Sequence, residues 1–398
     1  MDSGSIAWML VCSALVLLMT PGLAFFYGGL VRRKNVLSTV MYSFISMGVV
    51  SVVWVLWGYS LSFGEGGNAV IGTLNNVAFI GVEDTDTQIF AIFQMMFAII
   101  TPALITGAFC ERFKFKTYLV FLILWVTLVY APIAHWVWDT NGWLYELGAL
   151  DFAGGAVVHV NAGIAAIVAA MLVGRRRNPG MQSNNVPFVV LGASMLWFGW
   201  FGFNAGSGLE ANGIAVNAFL VTNTSAATAM VTWLVLGMIH TGKSSSVGAA
   251  TGAIAGLATI TPAAGFVGVQ TALLLGFASG IITFYVVFYK EKINLDDALD
   301  VFAVHGVGGI IGILGTGIFA DKSGAIGIIE GSSDLFIDNL VMIAATVGYS
   351  FLVTYVVLKV LDKIPGLGLR SSEADEDQGL DVSDHGETAY ISDGADTA

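Results

Sequence analysis

Apolar residues in this chain do not alternate with polar ones; they fall in long blocks separated by short breaks rich in glycine, asparagine and charge. A hydrocarbon core of about 30 Å takes about 20 apolar residues per helix. Eleven runs of that order lie roughly at 5–30, 38–62, 88–109, 117–138, 155–173, 187–207, 217–240, 247–264, 266–289, 302–320 and 337–361. Helices satisfy their own backbone polar groups, as lipid requires, so the pattern predicts an all-α integral membrane protein with eleven transmembrane helices. The first run, "SIAWMLVCSALVLLMTPGLAFFYGGL", has no basic flank before it and is too long for a signal segment. It reads as a span retained in the mature chain.

The polar breaks orient the spans. Arg32, Arg33 and Lys34; Arg112, Lys114 and Lys116; Arg175, Arg176 and Arg177; Lys243; Lys290 and Lys292; and Lys359, Lys363 and Arg370 all follow odd-numbered runs, and only Lys322 breaks the pattern. The other breaks carry acidic residues such as Glu65, Asp84, Glu146 and Glu210 instead. Positive charge stays in the cytoplasm, which places the N-terminus outside and the C-terminus inside. Residues 1–362 then form the membrane domain and 363–398 a cytoplasmic tail, where two basic residues face nine carboxylates and supply −7 of the chain's formal charge of −12. A mean hydropathy of +0.80 with 11% charged residues leaves too few polar side chains to cover a soluble globule of this size. The acidic balance gives no reason to expect a nucleic-acid partner. Cys12 and Cys110 fall toward opposite faces of the membrane, so no disulfide is expected.

Runs one and six end alike, in "GLAFFYGGL" and "WFGWFGFNAG", and runs five and ten each carry a histidine shortly after an aspartate, in "DFAGGAVVH" and "DVFAVH". Five spans is an odd number, so the second copy must be inverted. The expected plan is two inverted five-helix repeats, about 5–173 and 187–320, followed by a last helix at 337–361. Such repeats place a transport pathway at their interface. An ionisable group at membrane depth is costly, which makes His159 and His305 the leading functional candidates. The alternative is a pair of neutral imidazoles that only bond helices together. With about 1.5 Å of rise per residue, His159 lies roughly 12 Å inward of Asp151. His135 and His240 sit near span ends and His385 lies in the tail, so these read as structural. Two histidines without membrane Cys, Asp or Glu nearby make a poor nucleophile or metal constellation. Neither an enzyme nor a metal or other cofactor is expected.

The stretches "DFAGGAVVHVNAG", "WFGFNAGSG", "ITPALITGAFCERFKF", "DVFAVHGVGG" and "GLDVSDHGETAY" resemble the ammonium transporter family (Amt/MEP/Rh), in its Amt branch, from the first span to the tail. The resemblance implies a homotrimer in the plasma membrane, with one narrow pore per subunit and two histidines in contact at its centre, here His159 and His305. It also implies an outer recruitment site for ammonium or methylammonium at Phe93, Phe97, Trp138 and Ser207, with Phe97 and Phe203 forming a constriction beneath it. Topology allows this convergence. Trp138 and Ser207 close outward-running spans, Phe93 and Phe97 lie four apart near the start of an inward one, and Phe203 and Ser207 share a helix face with Trp200 one turn earlier. Taken singly, the same aromatics would read as an interfacial belt or core packing. After Trp138 many family members have a short glycine run, whereas this chain reads "WDTNGW"; Asp139 either adds negative potential at the mouth or forms the turn. Asp151 matches an acidic residue beside the outer vestibule and either caps its helix or stabilises the arriving cation. Asp300 invites the capping reading at the inner start of run ten.

The implied activity is recruitment of NH4+, removal of its proton, and passage of NH3 through an apolar pore with separate proton transfer. A sensor with little flux and a passive NH3 or CO2 channel are the alternatives. The tail opens with the Pro and Gly break "IPGLGLR" and continues through "SSEADEDQ", whose charge and lack of apolar residues ordinarily mean disorder. Its last motif implies packing on the cytoplasmic loops and control by a PII-type signal protein.

Overall fold

The apolar blocks become helices at almost the expected boundaries. The structure, a computed structural model, describes all residues except 181–182, 291, 293–294 and 391–398, so the end of the acidic tail lies outside the described residues. The spans are α1 (Ser3–Leu30), α2 (Arg33–Phe63), α3 (Thr85–Ala108), α4 (Phe115–Leu147, turning at 139–142), α5 (Gly155–Val173), α6 (Val186–Gly206), α7 (Gly213–Thr241), α9 (Val269–Lys290), α10 (Phe302–Phe319) and α11 (Asp334–Lys363). The eighth run differs. Its helix, α8 (Ser246–Ile260), has 15 residues, or about 22 Å at 1.5 Å per residue, short of a full crossing. The rest of that run is taken up by a turn at 261–266 around Pro262.

The repeats meet through equivalent helices. α1 lies along α6, and small residues allow the approach: a Cβ added at Gly192 would stand 2.2 Å from the Phe26 backbone nitrogen, and one at Gly29 would stand 2.7 Å from the Asn185 carbonyl oxygen. In lipid, where burying apolar surface no longer drives association, such close packing is the main attraction between helices. Both histidine-bearing spans begin with π-helical turns, Gly155–Val160 in α5 and Phe302–Val307 in α10. An "ITPA" sequence recurs at 100–103 in α3 and at 260–263 after α8, and in both copies the threonine hydroxyl donates to the carbonyl four residues earlier.

The basic loops gather at one end and are tied together by buried charge. Arg32 donates to Glu111 from its backbone nitrogen (2.8 Å) and from Nε (2.9 Å). Arg176 grips Asp296 in a bidentate pair, with Nη2 to Oδ1 at 2.7 Å. The fully buried Arg112 donates to the carbonyls of Ala108, Cys110, Gly174 and Asp296. Burial alone would raise the Asp296 carboxyl, but hydrogen bonds from Arg176 and the charges of Arg176 and Arg112 hold it at about 2.

The acidic tail is ordered where composition suggested disorder. Ser372 and Asp375 form a capping box that starts α12 (Glu373–Gln378), and α13 (Leu380–His385) follows. Arg370 Nε donates to Glu376 at 2.6 Å, Lys34 Nζ to the carbonyls of Glu376 and Asp377, and Arg177 pairs with Asp377 at 3.0 Å. Asp381, nearly fully buried, accepts the Ser38 backbone N–H at 2.8 Å near the start of α2. Loop cations and a helix N-terminus neutralise charges that would keep the isolated peptide solvated. Cys12 and Cys110 are both free and buried.

Candidate functional site

Local sequence builds the outer start of α5 around one carboxylate. Asp151 Oδ1 accepts the N–H groups of Gly154 (2.8 Å) and Gly155 (2.6 Å), and Oδ2 accepts those of Ala156 (2.7 Å) and Val157 (3.1 Å). This satisfies the donors that a helix start leaves orphaned. Gly154 has φ +119°, a conformation that disfavours a side chain, and a Cβ at Gly155 would strike Pro262 at 2.5 Å. The glycine pair in "DFAGGAVVH" is therefore a requirement of the bend that presents His159.

Above this bend the aromatic residues converge. Phe97 stands edge-on to Phe93 (centroids 4.9 Å apart) and to Trp138 (5.8 Å), and meets Phe203 at 4.3 Å. Trp138 is anchored by its indole nitrogen to the Asp151 carbonyl at 2.9 Å. Ser207, closing α6, donates to the Phe203 carbonyl at 2.8 Å, which leaves the oxygen lone pairs as acceptors. Asp139 accepts from the backbone and side-chain nitrogens of Asn141, so its carboxylate forms the turn. His135 is fully buried, with its ring nitrogens 2.8 and 2.7 Å from the carbonyl oxygens of Ser62 and Asn68, which ties α4 to the end of α2 and the loop that follows it.

Beneath Phe203 lies a narrow cavity of about 80 Å³, walled by apolar side chains such as Leu23, Ile100, Leu196 and Val304, with His159 and His305 in its lining. That is room for a few molecules the size of water or ammonia. Phe203 lines it and Phe97 does not, so the two rings separate the cavity from the outer aromatic group. The imidazoles lie nearly parallel, with Nδ1 to Nδ1 at 3.2 Å. His159 is also stacked on Trp200 at 5.4 Å and on Phe203 at 5.9 Å. Trp200 is itself held by a bond from Nε1 to the Thr261 hydroxyl, 2.9 Å. A hydrogen bond between two Nδ1 atoms needs a proton on one and a lone pair on the other. One ring then has an acceptor at Nε2 and its neighbour a donor. His159 Nε2 is buried and has no protein partner.

The cavity ends inward at Ala298, Leu299 and Asp300, and the first and last of these also border a wider cytoplasmic hollow of about 600 Å³ lined by Arg175, Arg176 and Lys290. Here one expectation is corrected. Asp297, not Asp300, caps the inner end of α10: its Oδ2 accepts the Phe302 N–H at 2.7 Å, while the Asp300 carboxylate pairs with Lys290. Asp300 has φ +63°; this turn puts its carboxylate beside α9. Burial, with the neighbouring Asp300 charge, raises the Asp297 carboxyl to about 6 despite the attraction of Lys290. The sequence assigned no site role to Asp297 or Thr261, and it offered Lys290 only as an orienting charge. The doubled aspartate in "LDDALD" and the repeated "ITPA" are the signals that point to the first two.

A narrow, aromatic-roofed and mostly apolar cavity with paired imidazoles, set at the interface of two inverted helical repeats, defines a multi-pass membrane protein of the transport class. The chain belongs to the Ammonium Transporter Family, whose sequence profile matches residues 7–390. It is 46% identical over 395 residues to ammonium transporter Amt1 of Archaeoglobus fulgidus, covering 98% of this chain and 100% of that one. It is 47% identical over 404 residues to the ammonium transporter of Bacillus subtilis, covering 98% and 99%. The solved structure of Candida albicans Mep2 matches with a TM-score of 0.89 at 38% identity, covering 94% of this chain and 88% of that one. A sensor Amt protein matches with a TM-score of 0.89 at 30% identity, covering 96% and 98%.

Proposed function

We propose that this protein takes NH4+ at Phe93, Phe97, Trp138 and Ser207, removes a proton, and passes NH3 along the His159–His305 tube, with the proton moving separately. The observation that carries the reading is a buried, partnerless imidazole nitrogen inside a mostly apolar cavity. An aromatic face attracts a cation by about 0.5–2 kcal/mol, and the Ser207 oxygen is free to accept an N–H, so the outer group suits a small hydrogen-bonding cation.

Energy then selects what passes. Moving an intact ion into such a tube meets a desolvation cost on the order of tens of kcal/mol in the Born limit. For an ion whose pKa lies roughly two units above neutral, deprotonation at pH 7 costs about 3 kcal/mol, at about 1.4 per unit. Losing the proton is far cheaper, and potassium has none to lose. The donor and acceptor that the imidazole pair presents replace part of the hydration of NH3.

The assembly we infer is a homotrimer, with a PII-type protein reaching the wide cytoplasmic hollow; both rest on likeness to the family. A second reading, a sensor with little flux, is favoured by the match to the sensor Amt protein. Current recorded on proteoliposomes after an ammonium jump separates the two. Transport predicts a sustained current in the wild type, with loss of potassium rejection in His159→Ala or His305→Ala. Ligand binding with neither current nor uptake of labelled methylammonium would establish the sensor, and wild-type rejection of potassium by both variants would remove the histidines from the mechanism.

A further inference from the structure

The two histidine-bearing helices are held together at two glycines placed alike in the repeats. Gly163 follows His159 by four residues, and Gly309 follows His305 by four. Each glycine receives the other helix at its histidine. A Cβ at Gly163 would stand 2.4 Å from both the nitrogen and the Cα of Gly306, and 3.4 Å from the His305 carbonyl carbon. A Cβ at Gly309 would stand 2.8 Å from the Gly155 carbonyl oxygen, 3.0 Å from a Val160 methyl and 3.1 Å from the His159 Cβ. The contacts are reciprocal, as an inverted repeat requires. Both glycines are buried in helices with no positive φ, so they are needed for proximity and not for backbone conformation.

We propose that Gly163 and Gly309 are positioning residues that set the separation of His159 and His305 and so keep their Nδ1 atoms in hydrogen-bond contact. Carbon atoms in optimal contact stand about 3.5–4.0 Å apart. A methyl group at Gly163 therefore forces the two backbones apart by about 1 Å, because the atoms it meets are main chain and cannot rotate away. Starting from 3.2 Å, that shift takes the Nδ1 pair beyond the limit of a hydrogen bond. Each ring is then free to turn, and the fixed pattern of one donor and one acceptor is lost. At Gly309 two of the three contacts are side-chain atoms, so the displacement is smaller. The consequence for ion rejection rests on the function proposed above, but the geometric claim does not.

The test uses the full-length protein with 15N-labelled histidine. Solid-state NMR reads the Nδ1 to Nδ1 coupling directly, and potassium and ammonium currents are recorded from the same preparations in proteoliposomes. Gly163→Ala is expected to abolish the coupling and to raise the potassium-to-ammonium current ratio at least tenfold. Gly309→Ala should weaken the coupling and raise the ratio two- to fivefold. Gly276→Ala is the control: it inserts a methyl 2.6 Å from the Ser225 carbonyl oxygen at the contact of α9 with α7, away from the pore, and should change neither. In a His305→Ala background, Gly163→Ala should add less than a twofold further change, since its effect acts through the pair. If Gly163→Ala does not fold, Gly309→Ala decides the matter. A wild-type coupling in the folded glycine variants, or its equal loss in Gly276→Ala, would overturn the proposal. Loss of the coupling with potassium rejection intact would uphold the positioning role and defeat the pore mechanism.

Discussion

The two π-helical turns that present the histidines begin in different electrostatic settings. At the outer turn the Asp151 charge is spread over four backbone N–H groups, and no cationic side chain is paired with it among the described residues. At the inner turn Asp300 is paired with Lys290, and Lys290 also donates to the Asp297 carbonyl at 2.8 Å. The nearby Asp296 is held by Arg176. The outer mouth has a carboxylate without a paired cation, whereas at the inner mouth Asp296 and Asp300 are each paired with one and only Asp297 is not, among the described residues. In the transport reading proposed above, this difference favours cation capture at the outer mouth and leaves no comparable trap for the proton and NH3 at the inner one, although the chain is built from similar repeats.

The largest effect is expected at the outer cap. Asp151→Ala leaves four buried donors unpaired at about 1–3 kcal/mol each, so flux per folded protein should fall at least ~100-fold. Asp151→Asn sharpens the comparison, because it keeps one acceptor and removes the charge. Its half-saturating ammonium concentration should rise, and a wild-type value would show that Asp151 acts only as a cap.

Trp138→Leu comes next. Loss of about 0.5–2 kcal/mol of cation attraction corresponds to a rise of about 2- to 30-fold in the half-saturating concentration. No change would remove Trp138 from the site. At the inner mouth Lys290→Gln leaves Asp300 unmatched. Partly exposed pairs contribute about 0–1 kcal/mol, so maximal current should drop by a few-fold at most, with half-saturation unchanged. The reverse outcome, altered half-saturation with full maximal current, would break the assignment of capture and release to opposite ends.

The smallest effect is expected from deleting the residues after Arg370. Its loop contacts include the buried Asp381 and the Arg370–Glu376 pair, yet none of them lines the narrow cavity. Transport should decline by about half with the membrane domain still folded, since exposed ion pairs are individually weak. Thermal unfolding and flux measured on the truncated protein check both parts, and full flux would make the tail a passive extension.

Much of the architecture was legible along the chain. The spans were readable because an apolar block long enough to cross a bilayer is a local property, and their direction because basic residues are left on one side. The eighth span, α8, is a shorter helix completed by a proline-led turn, and hydropathy alone reads the two as one apolar run. The outer aromatic group was legible through family motifs, whereas the inner cap was assigned to Asp300 because spacing cannot say which of three nearby aspartates faces the helix end. The order in "SSEADEDQ" was hidden because its carboxylates are paired with Arg370 and Arg177 and its backbone carbonyls are bound by Lys34, residues brought there only by folding.

What the sequence by itself determined, then, is the number of apolar segments, their orientation, the repeat, and the presence of one intramembrane histidine in each half. The tertiary structure decided that these two histidines touch, since residues 146 positions apart meet only when the inverted halves cross at Gly163 and Gly309. It also decided which aspartate caps α10 and which cation answers Asp300. The physical reason is one of range. Hydropathy and charge act residue by residue, while hydrogen bonds and close backbone contacts depend on separations held to within a few tenths of an ångström between segments far apart in the chain.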